Sequence, residues 1–83
     1  MDHDENWGIA FARVTDYFSS LRDVKRISDT SFVFRTAEIT LEELPDKLMG
    51  SLHFPRTRIC ITGGADADEI YRRFFYRFLS AGG

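Results

Sequence analysis

Apolar residues recur at intervals of three and four between Glu5 and Leu21: Trp7, Ala10, Phe11, Val14, Tyr17, Phe18 and Leu21. That spacing lays one apolar stripe along a helix. Asp4 stands where it can cap the first turn, and Asp4 and Glu5 suit the positive end of the helix dipole. Trp7, Ile9 and Phe11 also alternate, so a strand within residues 7–14 is the competing assignment; the longer periodic match favours helix. Val24–Ser28 and Thr30–Thr36 read as two strands joined at Ser28-Asp29. In the second, Phe32 and Phe34 face one way and Ser31, Val33 and Arg35 the other. Ser and Asp side chains bond to nearby backbone in turns, which predicts an antiparallel pair.

Thr40-Leu41-Glu42-Glu43 has the form of a capping box, in which the threonine oxygen takes the Glu43 amide and Glu43 reaches back. Leu41, Leu44, Leu48, Met49 and Leu52 follow at helical spacing, with Pro45 near the first turn, and Gly50 and Phe54-Pro55 end the pattern near Leu52. Thr57–Thr62 reads as a third strand, with Ile59 and Ile61 on one face and Arg58 and Cys60 on the other. Gly63-Gly64 ends it. Asp66-Ala67-Asp68-Glu69 opens a last helix running to about Ser80, and Gly82-Gly83 closes the chain. The expected fold class is α+β. Its element order is α-β-β-α-β-α: a small antiparallel sheet of about three strands and three helices in one domain over residues 1–83, with residues 1–5 a flexible acidic tail.

At 83 residues the chain buries a modest core and has a thin margin of stability. Small domains often add disulfides, a metal or a partner. Cys60 stands alone, so no disulfide closes within the chain, and Cys60, His3 and His53 do not fill a zinc site at any usual spacing. A partner protein or self-association is the support that remains. The 11 basic and 13 acidic residues nearly balance, which disfavours nucleic-acid or membrane binding driven by net charge. No apolar run reaches membrane-spanning length, the N-terminus is acidic where a secretory signal is basic, and a lone cysteine suits a reducing cytoplasm.

Candidate chemistry concentrates in the last helix. Ile70, Phe74 and Phe78 form a narrow stripe sufficient to pack on a sheet, while Tyr71, Phe75 and Leu79 widen it to about half the circumference. Tyr76 lies farther round among Arg72, Arg73 and Arg77. So small a domain has difficulty burying that many rings, and aromatics beside arginines are enriched at binding hot spots. Tyr71, Arg72, Phe75, Tyr76 and Leu79 are therefore the expected partner-binding residues, against the alternative of a broad core-facing helix with snorkelling arginines. Rings and arginines also suit RNA, and Phe32-Val33-Phe34 invites comparison with a base-stacking sheet, but the glycine-bearing RNA-binding octamer is absent. Gly63-Gly64 falls short of a phosphate loop and is followed by acids. Cys60 reads as an inert strand residue, His53 as a helix-end cation, and Glu42, Glu43 and Asp46 as a solvated helix face. No catalytic residue, metal site or cofactor is expected.

Asp29-Thr30-Ser31-Phe32-Val33-Phe34, Ile39-Thr40-Leu41-Glu42-Glu43-Leu44 and Arg58-Ile59-Cys60-Ile61-Thr62-Gly63 together resemble the small ferredoxin-like proteins related to CRISPR-associated protein two, a group of endoribonuclease and antitoxin-like members. That family opens with a strand ending in a metal-binding aspartate. The expected elements of this chain lack that strand, so no position inherits the aspartate or the nuclease activity. What the resemblance implies is a dimer-forming scaffold with a bare sheet edge.

The expected function is thus a non-enzymatic protein–protein interaction module, a small regulator, inhibitor or accessory subunit, acting through its aromatic and arginine-bearing C-terminal helix on a protein partner or a second copy of itself. The alternative is a nucleic-acid-binding domain of degenerate nuclease-like ancestry.

Overall fold

A computed structural model describes residues 2–79. Strand β1 (His3–Trp7) leads to helix α1 (Phe11–Ser20), then to strands β2 (Lys25–Arg26), β3 (Ser31–Phe34), β4 (Ala37–Met49) and β5 (Leu52–Thr62), and last to helix α2 (Gly64–Phe78). The five strands make one sheet in the order β1-β5-β4-β3-β2, antiparallel at every pairing. The class is α+β, but the expected three strands and three helices are corrected to five and two among the described residues.

Two segments account for that correction. Residues 40–52 form no helix. Ala37, Ile39 and Leu41 are buried while Glu38, Thr40 and Glu42 are exposed, a period of two that β4 obeys in its first half. Pairing on both sides, with Phe32 opposite Ile39 and Ile61 opposite Ile39, outweighs the local capping-box preference. Pro45 falls within a register shift between Leu44 and Lys47, where a missing N–H is tolerated. Gly50, at φ +63°, makes the β4–β5 turn and does not end a helix.

The N-terminal segment is the second. His3–Trp7, expected as an acidic tail running into a helix, pairs with β5 from His3 opposite Ile61 to Trp7 opposite Thr57. An opening strand is therefore present after all. Helix α1 begins only at Phe11, behind an N-cap Ala10 that has no side-chain cap, so Asp4 caps nothing. The strand alternative over 7–14 is equally displaced, since β1 ends where it would have begun.

Alternation then sorts the sheet into two faces. Phe32, Phe34, Ile39, Leu41, Ile59 and Ile61 point to one side and are buried there with Val14 and Phe18 of α1 and Ala67, Ile70, Phe74 and Phe78 of α2. The rings meet across the layers: Phe18 lies 5.6 Å from Phe32 and 5.8 Å from Phe74, and Phe74 lies 5.1 Å from Phe78. The opposite face carries Asp4, Glu42, Arg58, Thr40, Cys60 and Thr62 and, among the described residues, no helix.

Helix α2 starts two residues before the expected Asp66, and Ser80 with the closing Gly82-Gly83 lies outside the described residues. Asp66 ties the helix start to the β3–β4 turn. Its Oδ2 accepts from the Thr36 amide at 3.1 Å and the Thr36 hydroxyl at 2.6 Å. Gly63 makes the close approach possible: at φ +127° a Cβ there would stand 2.6 Å from Ala37 Cα and 2.8 Å from the Thr36 carbonyl oxygen. Gly63→Ala should therefore cost at least about 2 kcal/mol, from a strained φ plus backbone overlap. Gly50→Ala, with nothing within 4 Å, should cost about 1 kcal/mol from φ alone. Urea unfolding midpoints of the two variants measure the difference.

Candidate functional site: the outer face of the C-terminal helix

Packing divides α2 along its length. Ala67, Ile70, Phe74 and Phe78 are buried in the core, Tyr71 and Phe75 are half-buried, and Arg72, Tyr76, Arg77 and Leu79 are exposed. The expected inner stripe is thus core. Strand β1 flanks the outer shoulder, because its pairing with β5 brings His3, Glu5 and Trp7 to the helix side. The His3 ring stacks on Tyr71 at 3.9 Å, with planes 2° apart. Trp7 meets Phe75 edge-on at 5.8 Å, and Phe75 meets Tyr76 at 5.8 Å.

These contacts shape an open groove of about 330 Å³ lined by His3, Asp68, Tyr71, Arg72, Phe75 and Tyr76. Four of the five expected partner-binding residues are brought together there. Leu79 is the exception: it is exposed on the same helix but does not line the groove. Sequence reasoning misses His3 and Asp68, because it places His3 in a tail. The pairing of His3 and Glu5 on one side of a strand that ends in Trp7 is the signal available.

The polar groups of the groove are held in place. His3 Nε2 lies 2.9 Å from Asp68 Oδ1, and that hydrogen bond pulls the Asp68 carboxyl below its usual range. Tyr71 donates its hydroxyl to Glu5 Oε1 at 2.7 Å; burial, then that carboxylate, pushes the phenol up to about 12. Glu5 Oε1 also accepts from Trp7 Nε1 at 2.9 Å. Arg72 has no carboxylate within ion-pair distance among the described residues, so one unneutralised guanidinium borders the rings.

Three other arginines are engaged by carboxylates. Arg73 bonds Asp23 and Glu69 and lies 5.0 Å over Phe34; Arg58 bonds Asp4 and Glu42; Arg35 bonds Glu69. Cys60 lies half-buried on the open face, and burial followed by the Asp4 contact pushes its thiol up, away from thiolate chemistry. His53 sits 3.9 Å from Asp46 and on the face of β5 opposite Cys60, so the two form no dyad. Among the described residues no group of three or more His, Cys, Asp or Glu is placed to hold a metal, and no helix is long and apolar enough to cross a membrane.

The architecture is that of a small α+β protein built as one five-stranded antiparallel sheet with two helices on a single face. The family model for archaeal MoaD-like protein matches residues 4–83, and the chain belongs to that family. No curated protein matches the chain.

The ion pair that fastens β1 to β5 sets an acid limit. Two hydrogen bonds from Arg58, at 2.7 and 2.9 Å, hold the Asp4 carboxyl at about 2 against an ordinary 3.8. A depressed carboxylate contributes its stability above the unfolded value and loses it as pH falls through the folded one. The urea midpoint should therefore fall between pH 4 and pH 2, and Asp4→Asn should lower the plateau above pH 4 while flattening that limb.

Proposed function

We propose that the chain is a non-enzymatic interaction module whose α2 groove docks a protein partner. The observation that carries this reading is the convergence of Tyr71, Phe75 and Tyr76 on one concave surface beside Arg72, a guanidinium without an ion pair among the described residues. Tyr76 is 70 % exposed, far more than the core requires of a ring on this helix. Aromatic side chains in a concave patch supply affinity by burial, and an adjacent arginine supplies orientation. Two features of the groove favour a preformed site: the His3–Tyr71 stack and the Glu5 bonds fix its wall before any partner arrives, so little ordering entropy remains to be lost.

The near balance of 11 basic and 13 acidic residues supports a protein partner over a nucleic acid, because binding to phosphates draws on a surplus of positive charge. An Arg72→Ala, Tyr76→Ala double variant should keep its unfolding midpoint within about 0.5 kcal/mol of the parent, as exposed positions do. The same variant should lose a partner recovered by pull-down from the native cell extract, by about tenfold or more in affinity once that partner is purified. Retention of the partner at parental affinity would remove the groove from its role.

A further inference from the structure

The pairings of β3 and β1 end at Thr40 and Thr57, leaving the end of the β4–β5 hairpin as a two-stranded arm with both edges unpaired among the described residues. The molecule measures 42 × 22 × 18 Å, and every residue from 45 to 55 is exposed. Four large apolar side chains crowd the tip: Leu48, Met49, Leu52 and Phe54, each 42–64 % exposed. A lone two-stranded ribbon is marginal in water, and clustered apolar exposure marks an interface.

Register assigns the arm's two faces. Cross-strand partners share a face, so Leu44 with Arg56, Lys47 with Phe54, and Met49 with Leu52 lie together. That face is apolar and carries two cations. Leu48 and His53 lie on the other, where Asp46 approaches His53 at 3.9 Å. We infer that the Leu44–Phe54–Met49–Leu52 face of the arm is a second docking surface, separate from the α2 groove, and that its occupant is another protein presenting apolar side chains flanked by carboxylates.

Charge selects that occupant. A second copy meeting the arm through the same face would set Lys47 and Arg56 against Lys47 and Arg56, since a two-fold interface opposes a patch to itself. A lipid bilayer would strip water from the unpaired backbone edges of both strands without replacing it. An acidic, apolar protein surface complements the face in both respects.

A random 16-residue peptide display library, selected on the intact chain and counter-selected on a Leu52→Asp, Phe54→Asp variant, tests this and requires no identified partner. The expected binders combine Asp or Glu with Leu, Ile or Phe. Measured by fluorescence anisotropy, they should lose at least tenfold affinity on Lys47→Glu, Arg56→Glu, weaken between 50 and 300 mM salt, and bind an Arg72→Ala, Tyr76→Ala variant unchanged. Unaltered circular dichroism of the arm variants keeps folding out of the comparison. Arm-dependent binders that are basic, or no arm-dependent binders, would overturn the proposal. So would a concentration-dependent dimer in sedimentation that the arm variants abolish, or arm-dependent co-sedimentation with phosphatidylserine vesicles.

Discussion

Everything in this molecule hangs on one sandwich of rings. Phe32 on the sheet, Phe18 on α1, and Phe74 and Phe78 on α2 close on one another with centroids 5–6 Å apart where they touch, Phe34 belongs to the same core, and all are essentially inaccessible to water. Both helices lie on the same side, so the core is one layer thick and the middle of the other sheet face is covered by no helix among the described residues. That face is instead a polar ladder in which Arg58 spans Asp4 and Glu42. A chain of this size that commits its largest side chains to one interface leaves the remaining apolar residues outside it.

Ile27, between β2 and β3, stands apart, but most of the large apolar residues left exposed cluster in two places, the shoulder of α2 and the tip of the β4–β5 arm. Among the described residues, each combines apolar area with cations that lack carboxylate partners on the same surface: Arg72 beside Tyr76, and Lys47 and Arg56 beside Phe54. The neutralised arginines, by contrast, serve the fold; Arg73 joins Asp23 and Glu69 across Phe34, and Arg35 secures the turn against α2.

Much of this was legible in the sequence where one signal was strong and local. The apolar stripe Ile70, Phe74, Phe78 gave α2 and its inward face, the exposed shoulder gave four groove residues, and the alternation of Phe32 and Phe34 gave β3. The long hairpin was hidden because Leu41, Leu44 and Leu48 satisfy a helical period while Ala37, Ile39 and Leu41 satisfy a strand period. Partner strands decided between them, and partners are not local. The same is true of β1: His-Asp-Glu-Asn-Trp is a poor strand by composition, and only the Arg58 pairing and the open edge of β5 make it one. His3 and Asp68 entered the groove through that strand, sixty-five positions apart in sequence. The resemblance to proteins related to CRISPR-associated protein two drew on residues 39–44 as a capped helix, and in the structure those residues are strand.

Native-state amide hydrogen exchange tests most directly whether the aromatic sandwich alone holds the fold and leaves the arm outside it. The account predicts that hydrogen-bonded amides of the sheet centre, at Ile39, Leu41, Ile59 and Ile61, exchange only through global unfolding and lose protection in step with denaturant. Those of Lys47 to Phe54 should exchange through a separate opening of much lower free energy. Equal protection of arm and sheet centre in the isolated monomer would contradict it, because the arm would then be part of the cooperative core and not a surface awaiting a partner.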